Sequence, residues 1–317
     1  MTKGNIEISV IIPAFNEEEN IFPMYSKLSE ALSRASESWE ILFIDDGSFD
    51  ATRQKCLELS RLNSAVRYIG FTRNFGHQAA ITAGLDSARG QAIISLDCDM
   101  QDPPELVEEM IRKWREGYLV VYGRRIARHD GFFKKFSAIL YYRLLHRFSD
   151  YKIPRNVGDF RLVDRKVLNQ LLDMREKSRY LRGMVAWLGF KHAFVDYERV
   201  KRERGRSKFT LTRMMRFAMD GIMNFALLPL RVGLLIGMIS VITGFSLMIY
   251  LLIDYFVQGG SFPLDMFLID TIFIFMGVLF LLVWLIGEYV GRILDESRGR
   301  PLYVVAETEE TDAPSHS

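Results

Sequence analysis

Short apolar runs alternate with amphipathic stretches along the first part of the chain. Runs of the length and composition typical of buried β-strands occupy residues 6–13, 40–44, 66–71, 92–96 and 119–122. Hydrophobic residues recur at helical spacing in the intervening residues 18–35, 51–62, 77–88 and 105–116. Strands that alternate with helices in this way predict an α/β fold, in which a mostly parallel sheet is covered by helices on both faces.

Two longer apolar segments follow in the last third of the chain. Residues 232–253 contain no charged side chain, and residues 266–290 contain only Asp270 and Glu288. A helix needs roughly 20 apolar residues to cross a bilayer core of about 30 Å, and both segments are long enough. We therefore expect residues 226–295 to form a transmembrane domain of two helices.

The distribution of positive charge predicts how this domain is oriented. The intervening loop, residues 258–265, contains no Lys or Arg, whereas arginines flank the pair of segments on both sides. The positive-inside rule then places both chain ends in the cytoplasm, as in a multi-pass protein of the inner (cytoplasmic) membrane. The tail, residues 296–317, becomes acidic, small and polar from Glu307 onward, and we expect it to be disordered.

Two further segments combine aromatic and aliphatic residues with Lys and Arg. Residues 131–149 and 209–225 have this character, which is typical of amphipathic helices that lie on an anionic membrane surface. An ordinary packed helix stays an alternative for the first of them. Together these features predict a cytoplasmic domain over residues 1–225 that rests on the membrane.

Composition narrows the range of partners. The formal net charge of the 317-residue chain is only +2, which does not favour a nucleic-acid partner. Cys56 and Cys98 lie too far apart in the sequence to form a metal motif, and so sparse a cysteine usage fits a reducing compartment. Gly233, Gly237 and Gly244 offer small residues for helix packing, which leaves a homo-oligomer open.

The acidic sequence Asp97-Cys98-Asp99 follows the fourth predicted strand. Two carboxylates separated by one residue can be aimed at one point beyond the sheet edge, where ligands of parallel sheets bind. Oxygen donors of this kind suit a hard divalent cation such as Mg²⁺ or Mn²⁺. The alternative is an acidic turn that caps the next helix, because so short a motif also matches by chance.

The first three predicted strands also end in polar clusters. Glu17 follows the first strand, and Asp46 follows the second within residues 45–48. Either carboxylate could accept hydrogen bonds from a ribose or a base, although acidic residues also favour the start of a helix. His77, which follows the third strand, is interpreted as a polar residue at a helix start and not as a catalyst.

Taken in order, these clusters resemble the motifs of a known family. Residues 11–17 (IIPAFNE), 45–48 (DDGS) and 97–105 (DCDMQDPPE) resemble those of family 2 glycosyltransferases with the GT-A fold. Residues 158–162 (GDFRL) and 204–208 (RGRSK) are similar to the polyprenyl-phosphate branch of that family, which includes dolichol-phosphate mannose synthases and bactoprenol glucosyltransferases. The resemblance covers nearly the whole chain except the acidic tail.

The resemblance implies a nucleotide-sugar site and a metal site at the strand ends. The residues that it implies for the nucleotide sugar are Pro13, Phe15, Glu17, Asp46, Asp97 and Gln101. It also implies that Asp97 and Asp99, with Gln101 nearby, bind Mg²⁺ or Mn²⁺ next to the diphosphate of the donor.

Asp99, Asp159 and Arg161 are the candidates for catalysis. The second pKa of a phosphate monoester is about 6, so a lipid monophosphate is already a nucleophile at neutral pH and has little need of a general base. The resemblance places Asp159 near the sugar and the acceptor. Asp159 could orient the donor sugar or Arg161 instead of acting as a base, and both roles stay open.

Basic residues are the candidates for binding the acceptor phosphate. They are Arg124, Arg125, Arg204, Arg206 and Lys208. Arg suits bidentate contact with phosphate, and Lys supplies a point charge. The alternative is a basic collar that binds lipid headgroups.

We therefore expect an inverting, metal-dependent transferase. Its reaction would move a hexose, glucose from a UDP-glucose donor, to undecaprenyl (polyprenyl) phosphate at the membrane. Other donors, such as GDP-mannose or a UDP-linked aminosugar or aminopentose, stay open. The alternative from another class is a non-catalytic membrane sensor of sugar nucleotides or a scaffold, against which the intact acidic motif and the basic stretch both argue.

Overall fold

The computed structural model describes residues 6–126, 154, 156–174, 176–177, 179–198 and 264–309, together with isolated positions between 242 and 257. Contacts within the chain divide it into two units. The first comprises Met1–His146, Asp150–Arg213 and Pro301–Ser317, and the second comprises Arg147–Ser149 and Met214–Arg300.

Among the described residues, the first unit is built on an eight-stranded sheet. In chain order its strands are β1 (Ile8–Ala14), β2 (Trp39–Asp45), β3 (Val66–Phe71), β4 (Ala92–Ser95), β5 (Val120–Arg125), β6 (Val157–Asp164), β7 (His192–Tyr197) and β8 (Val305–Glu309). The helices are α1 (Ile21–Ala35), α2 (Thr52–Leu62), α3 (His77–Ser87), α4 (Val107–Arg115), α5 (Arg165–Asp173), α6 (Leu181–Trp187) and, in the second unit, α7 (Leu264–Ser297). A 3₁₀ turn, Pro104–Leu106, precedes α4.

The strand order is β7-β5-β6-β4-β1-β2-β3-β8. β3, β2, β1 and β4 pair in parallel, and β5 pairs in parallel with β7. β6 runs antiparallel to both β4 and β5, and β8 runs antiparallel to β3. Each of the five predicted strands and four predicted helices corresponds to β1–β5 and α1–α4, so this part of the prediction is confirmed.

The central strands are buried along nearly their whole length because helices cover both faces of the sheet. All seven residues of β1 are buried. α1 buries Ile21, Met24, Leu28 and Leu32, whose spacing of three and four residues puts them on one side of a helix. This side joins β1 and β2 in the main hydrophobic cluster, which fixes the strand ends relative to one another.

The C-terminal tail differs from its prediction. Residues 301–309, which we expected to be disordered, contain β8, and β8 pairs with the edge strand β3. An edge strand presents unpaired backbone groups that favour addition of another strand. The acidic residues that suggested disorder form ion pairs with α2, since Glu307 pairs with Arg53 and Glu309 pairs with Arg61. Residues 310–317 lie outside the described residues.

The membrane-related predictions fall mostly outside the described part of the chain. The proposed interfacial segments, residues 131–149 and 209–225, lie there entirely, and so does most of the first predicted span, residues 232–253. The second span, residues 266–290, lies within α7. Within the described ranges, no helix combines the length and apolar character required to cross a membrane, so the two-span prediction is not confirmed.

A buried ion pair holds the sheet together at the end opposite to Asp45. Glu40 on β2 and Arg67 on β3 are both almost inaccessible, with Nη1 of Arg67 3.1 Å from Oε2 of Glu40. Oε1 of Glu40 accepts hydrogen bonds from the Ser9 hydroxyl at 2.6 Å and from the backbone N–H of Arg89 at 2.7 Å. Nη1 of Arg67 also donates to the carbonyl of Ser87 at 2.8 Å. The pair therefore connects β1, β2, β3 and the end of α3.

Replacing Arg67 with Met is expected to lower the free energy of unfolding by about 3–5 kcal/mol, because it leaves the Glu40 carboxylate buried without its partner. The double variant Arg67→Met/Glu40→Gln removes that charge and should recover part of the loss. Urea unfolding of the full chain in detergent measures both. Equal stability of the single variant and the parent protein would contradict a contribution of this pair to the fold.

Candidate functional site

The loops that follow β1 and β2 bind each other at the carboxyl ends of the strands. The backbone N–H of Asn16 donates to the Ser48 hydroxyl at 2.9 Å, and the N–H of Phe49 donates to Oδ1 of Asn16 at 2.8 Å. The N–H of Glu17 donates to the Thr52 hydroxyl at 2.8 Å. These bonds explain why Asn16 adopts a left-handed conformation, with φ of 52°.

The candidate nucleotide residues of the first loop lie on this framework. Pro13 is buried within β1, and the ring of Phe15 meets the exposed ring of Phe49 edge-on at 6.1 Å. Burial raises the pKa of the Cys98 thiol, in the middle of the acidic motif, and the carboxylate of Glu17 adds to that rise. Oε2 of Glu17 accepts a hydrogen bond from the Asn20 side chain at 2.7 Å.

The Asp46 carboxylate holds the loop between β3 and α3. It accepts hydrogen bonds from the backbone N–H of Phe75 at 2.7 Å, from that of Gly76 at 3.0 Å and from the Asn74 side chain at 2.9 Å. Burial raises its pKa, although the Phe75 and Gly76 bonds oppose the rise. Gly47 lets this loop approach, since a Cβ there would lie 2.5 Å from the carbonyl carbon of Arg73. Asp46 therefore fixes the conformation of the loop between β3 and α3 in addition to lining the candidate site.

Asp97 and Asp99 stand at the end of β4, as the sequence predicted. The backbone N–H of Gln101 donates to Oδ1 of Asp99 at 3.2 Å. Burial and the neighbouring carboxylates, Asp159 first among them, raise the pKa of Asp97 to about 6 against the opposing charge of His77. Negative charge is thus concentrated here.

Asp159, on β6, is surrounded by donors. Arg161 and Arg182 each place an Nη2 atom close to its carboxylate, at 3.2 Å from Oδ1 and 3.3 Å from Oδ2 respectively. The Gln78 side chain donates to Oδ2 at 3.4 Å. Nε2 of His77 lies 3.6 Å from Oδ2 of Asp159 and 3.4 Å from Oδ1 of Asp97, so it bridges the two carboxylates.

These contacts determine the ionisation states of Asp159 and His77. Burial alone would raise the pKa of Asp159, but Arg182, His77 and Arg161 hold it well below its usual range. Burial lowers the pKa of His77, but Asp97 and Asp159 outweigh it and raise the value to about 9. At neutral pH Asp159 is therefore ionised and His77 is a cation. Such a carboxylate is a weak base, which favours the orienting role over the role of general base.

The sequence alone did not single out two members of this cluster. His77 was interpreted as a helix-start residue, although its position after a parallel strand is the signal that could have identified it. Arg182 lies on the short helix α6, 23 residues after Asp159 in the sequence, and no local pattern connects the two. Arg161 was predicted, and its Nη1 atom is buried without a hydrogen-bond partner among the described residues.

The acidic motif has the chemistry of a divalent-cation site. Asp97 and Asp99 offer hard oxygen donors, and the crowding of carboxylates around Asp97 is what a bound cation would relieve. Within the part of the chain that the structure describes, no group of three or more His, Cys, Asp or Glu side chains is arranged to hold a metal ion. Mg²⁺ is usually bound by one or two carboxylates together with phosphate oxygens of the substrate, and these two residues fit that pattern.

A family model described as glycosyl transferase family 2 matches residues 9–172, which include the whole acidic motif and Asp159. The chain belongs to this family. It is 43% identical over 302 residues to an uncharacterized glycosyltransferase, YkcC, of Bacillus subtilis, covering 95% of this chain and 94% of that protein. It is 37% identical over 301 residues to the bactoprenol glucosyl transferase of Shigella phage SfV, covering 95% of this chain and 98% of that protein.

Among solved structures, the mannosyl-3-phosphoglycerate synthase from Rubrobacter xylanophilus matches with a TM-score of 0.48 and 16% identity. The match covers 68% of this chain and 72% of that chain.

The glycosyltransferase uses two of the predicted acceptor residues within its own structure. Arg124 forms a bidentate pair with Asp196, at 2.5 and 2.7 Å, and lies over the ring of Phe194. Arg125 donates to the carboxylate of Asp102 at 3.2 and 3.3 Å. The structure therefore differs from the expectation that both guanidinium groups are available to a phosphate. Arg204, Arg206 and Lys208 lie outside the described residues.

Arg125 is part of a buried latch behind the acidic motif, formed by Asp102, Arg125 and Tyr197. The Asp102 side chain is fully buried and accepts a hydrogen bond from the Tyr197 hydroxyl at 2.6 Å. Nε of Arg125 donates to the same hydroxyl at 3.1 Å. Asp102 comes three residues after Asp99, so the latch holds the loop with the acidic motif against β5 and β7.

Replacing Tyr197 with Phe is expected to lower the free energy of unfolding by about 1.5–3 kcal/mol, because the hydroxyl bonds a buried charge. Tyr25→Phe is the matched control, since the Tyr25 hydroxyl accepts a hydrogen bond only from the neutral Asn63 amide among the bonds described for it. That change should cost about 1 kcal/mol or less. Denaturant unfolding compares them, and equal losses would contradict the latch.

Proposed function

We propose that this glycosyltransferase transfers a hexose, glucose from UDP-glucose, to polyprenyl phosphate, with undecaprenyl phosphate as the acceptor. The observation that carries the proposal is similarity along nearly the whole length of the bactoprenol glucosyl transferase of Shigella phage SfV, at 37% identity. The charged cluster at the carboxyl ends of the strands supports it, because transfer between two anionic substrates needs compensating positive charge.

The donor side of the reaction is assigned to the first two loops and the acidic motif. Glu17 and Asp46 lie where a nucleoside could be bound, and Asp97 and Asp99 would hold Mg²⁺ or Mn²⁺. A divalent cation supplies positive charge that stabilises the leaving diphosphate without a proton transfer. The N–H of Gln101 fixes the orientation of Asp99 through its bond to Oδ1.

Asp159 is assigned an orienting role toward the donor sugar. Arg161, Arg182 and Gln78 hold its carboxylate from several directions, so that it offers an acceptor in a fixed position to a sugar hydroxyl. The acceptor phosphate is itself the nucleophile, since its second pKa is about 6. Direct attack on the anomeric carbon, opposite to the leaving diphosphate, inverts that centre and gives a β-linked lipid phosphate sugar from an α-linked donor.

The acceptor side is assigned to the basic stretch that contains Arg204, Arg206 and Lys208, close to a membrane surface. A polyprenyl phosphate resides in a bilayer, and its phosphate requires cationic groups at the interface. We propose that the enzyme works at the cytoplasmic face of the inner membrane, with residues 226–295 as its anchor. The uncharged run of residues 232–253 supports this assignment.

The Asp99→Asn variant is expected to lose sugar transfer by about a thousandfold, because it removes an anionic metal ligand and with it several kcal/mol of stabilisation of the leaving group. EDTA should abolish transfer by the parent enzyme, and Mn²⁺ or Mg²⁺ should restore it. Asp173→Asn, the same change at an exposed residue at the end of α5, is the control and should be fully active. Full transfer by Asp99→Asn would exclude the metal role.

The donor and acceptor are tested with membranes that contain the enzyme, undecaprenyl phosphate and a panel of radiolabelled sugar nucleotides. Label from UDP-glucose in the extracted lipid is the expected result. Label from GDP-mannose or a UDP-linked aminosugar in its place would overturn the donor assignment, and label from none of them would count against transfer to a lipid phosphate.

A further inference from the structure

The C-terminal segment, residues 301–309, contacts the loop that Asp46 holds. Tyr303 stacks on Phe71, the last residue of β3, with ring centroids 5.0 Å apart and planes 13° from parallel. The backbone N–H of Thr72 donates to the carbonyl of Val304 at 3.1 Å. The Tyr303 hydroxyl donates to Oδ2 of Asp86 at 2.8 Å, near the last turn of α3. Tyr303 therefore contacts Phe71, which precedes the loop of residues 72–77, and Asp86, which lies near the end of the helix that follows this loop.

From Tyr303 a continuous series of contacts leads to the site. Phe71 meets the ring of Phe75 edge-on at 5.7 Å, and the guanidinium of Arg73 lies 3.9 Å from the centre of the Phe75 ring. The backbone N–H of Phe75 donates to Asp46. His77, two residues later, faces Asp97 and Asp159. Residues 72–77 therefore contact a short aromatic stack, whose outer member is Tyr303.

We infer that Tyr303 is a positioning residue of the nucleotide site, acting through Phe71 and Phe75 on the loop of residues 72–77. This inference rests on the proposed function, because it assumes that a nucleotide binds beside Asp46. Tyr303 precedes β8, and β8 runs away from the site. Its last residue, Glu309, lies opposite Tyr68 and pairs with the exposed side chain of Arg61.

The test compares Tyr303→Ala, Tyr303→Phe and Glu309→Gln in the full chain, purified in detergent. UDP with Mn²⁺ is the probe, and its dissociation constant is measured by calorimetry. Tyr303→Ala is expected to weaken UDP binding about threefold to tenfold, the effect of losing one aromatic pair. Tyr303→Phe keeps the stack and should recover most of the affinity. Glu309→Gln removes an exposed ion pair and should change the affinity less than about twofold.

Hydrogen exchange separates failure of this inference from failure of the proposed function. In the absence of nucleotide, Tyr303→Ala should accelerate exchange of the Phe75 and Gly76 amides, which Asp46 binds, by about threefold to tenfold. If Tyr303→Ala is not recovered folded, Tyr303→Leu, which keeps apolar volume without the ring, takes its place.

Two results would overturn the positioning role: unchanged exchange of these amides in the variant, or an equal loss of UDP affinity in Glu309→Gln. A parent enzyme that binds neither UDP nor GDP, while exchange still accelerates in Tyr303→Ala, would overturn the donor assignment and leave the positioning of the loop in place.

Discussion

Parallel pairing of β3, β2, β1 and β4 is the constraint on which the site depends. Parallel strands all end at one edge of the sheet, so the polar loops that follow them are forced together. In this protein those loops carry acidic residues, and their meeting concentrates negative charge in a partly buried place. Each buried carboxylate there must be stabilised by hydrogen bonds or by positive charge, and the groups that stabilise it determine its chemical role.

Three carboxylates show three kinds of compensation. Asp46 is bound by backbone N–H groups of the loop after β3, which makes it an organiser of that loop. Asp159 is bound by two arginines and His77, which keep it ionised. Asp97 is the least compensated, since burial and neighbouring carboxylates raise its pKa to about 6 in spite of His77. At this edge of the sheet, Asp159 is therefore held as a carboxylate by its own partners, whereas the Asp97 carboxylate would be stabilised by a bound cation.

Local periodicity was sufficient to predict the parallel core, because β1–β5 and α1–α4 alternate over short connections. It could not place β6 or β8, since a strand that joins an edge from a distant part of the sequence is selected by its partner and carries little pattern of its own. The acidic composition of β8 also led to the prediction of disorder, because the sequence alone does not show that basic residues lie beside it in the fold. Arg53 and Arg61 on α2 are those partners, and only the fold brings them near.

Asp97 and Asp99 were predicted as site residues from their position directly after a strand, whereas Asp159, which lies on β6, was predicted only from the family resemblance. Arg124 and Arg125 were assigned together because they follow the end of the predicted strand at residues 119–122. In the structure β5 extends to Arg125, and neighbours on a strand face opposite sides of the sheet. The structure accordingly pairs them with different carboxylates, Asp196 and Asp102.

The same reasoning bears on catalysis. Arg161, Arg182 and His77 bring three positive charges to Asp159 and Asp97, which offset part of the negative charge that the strand ends concentrate here. In the proposed transfer, the diphosphate of the donor and the phosphate of the acceptor repel each other. The three cationic side chains would lower that repulsion, and they would do so without requiring Asp159 to accept a proton.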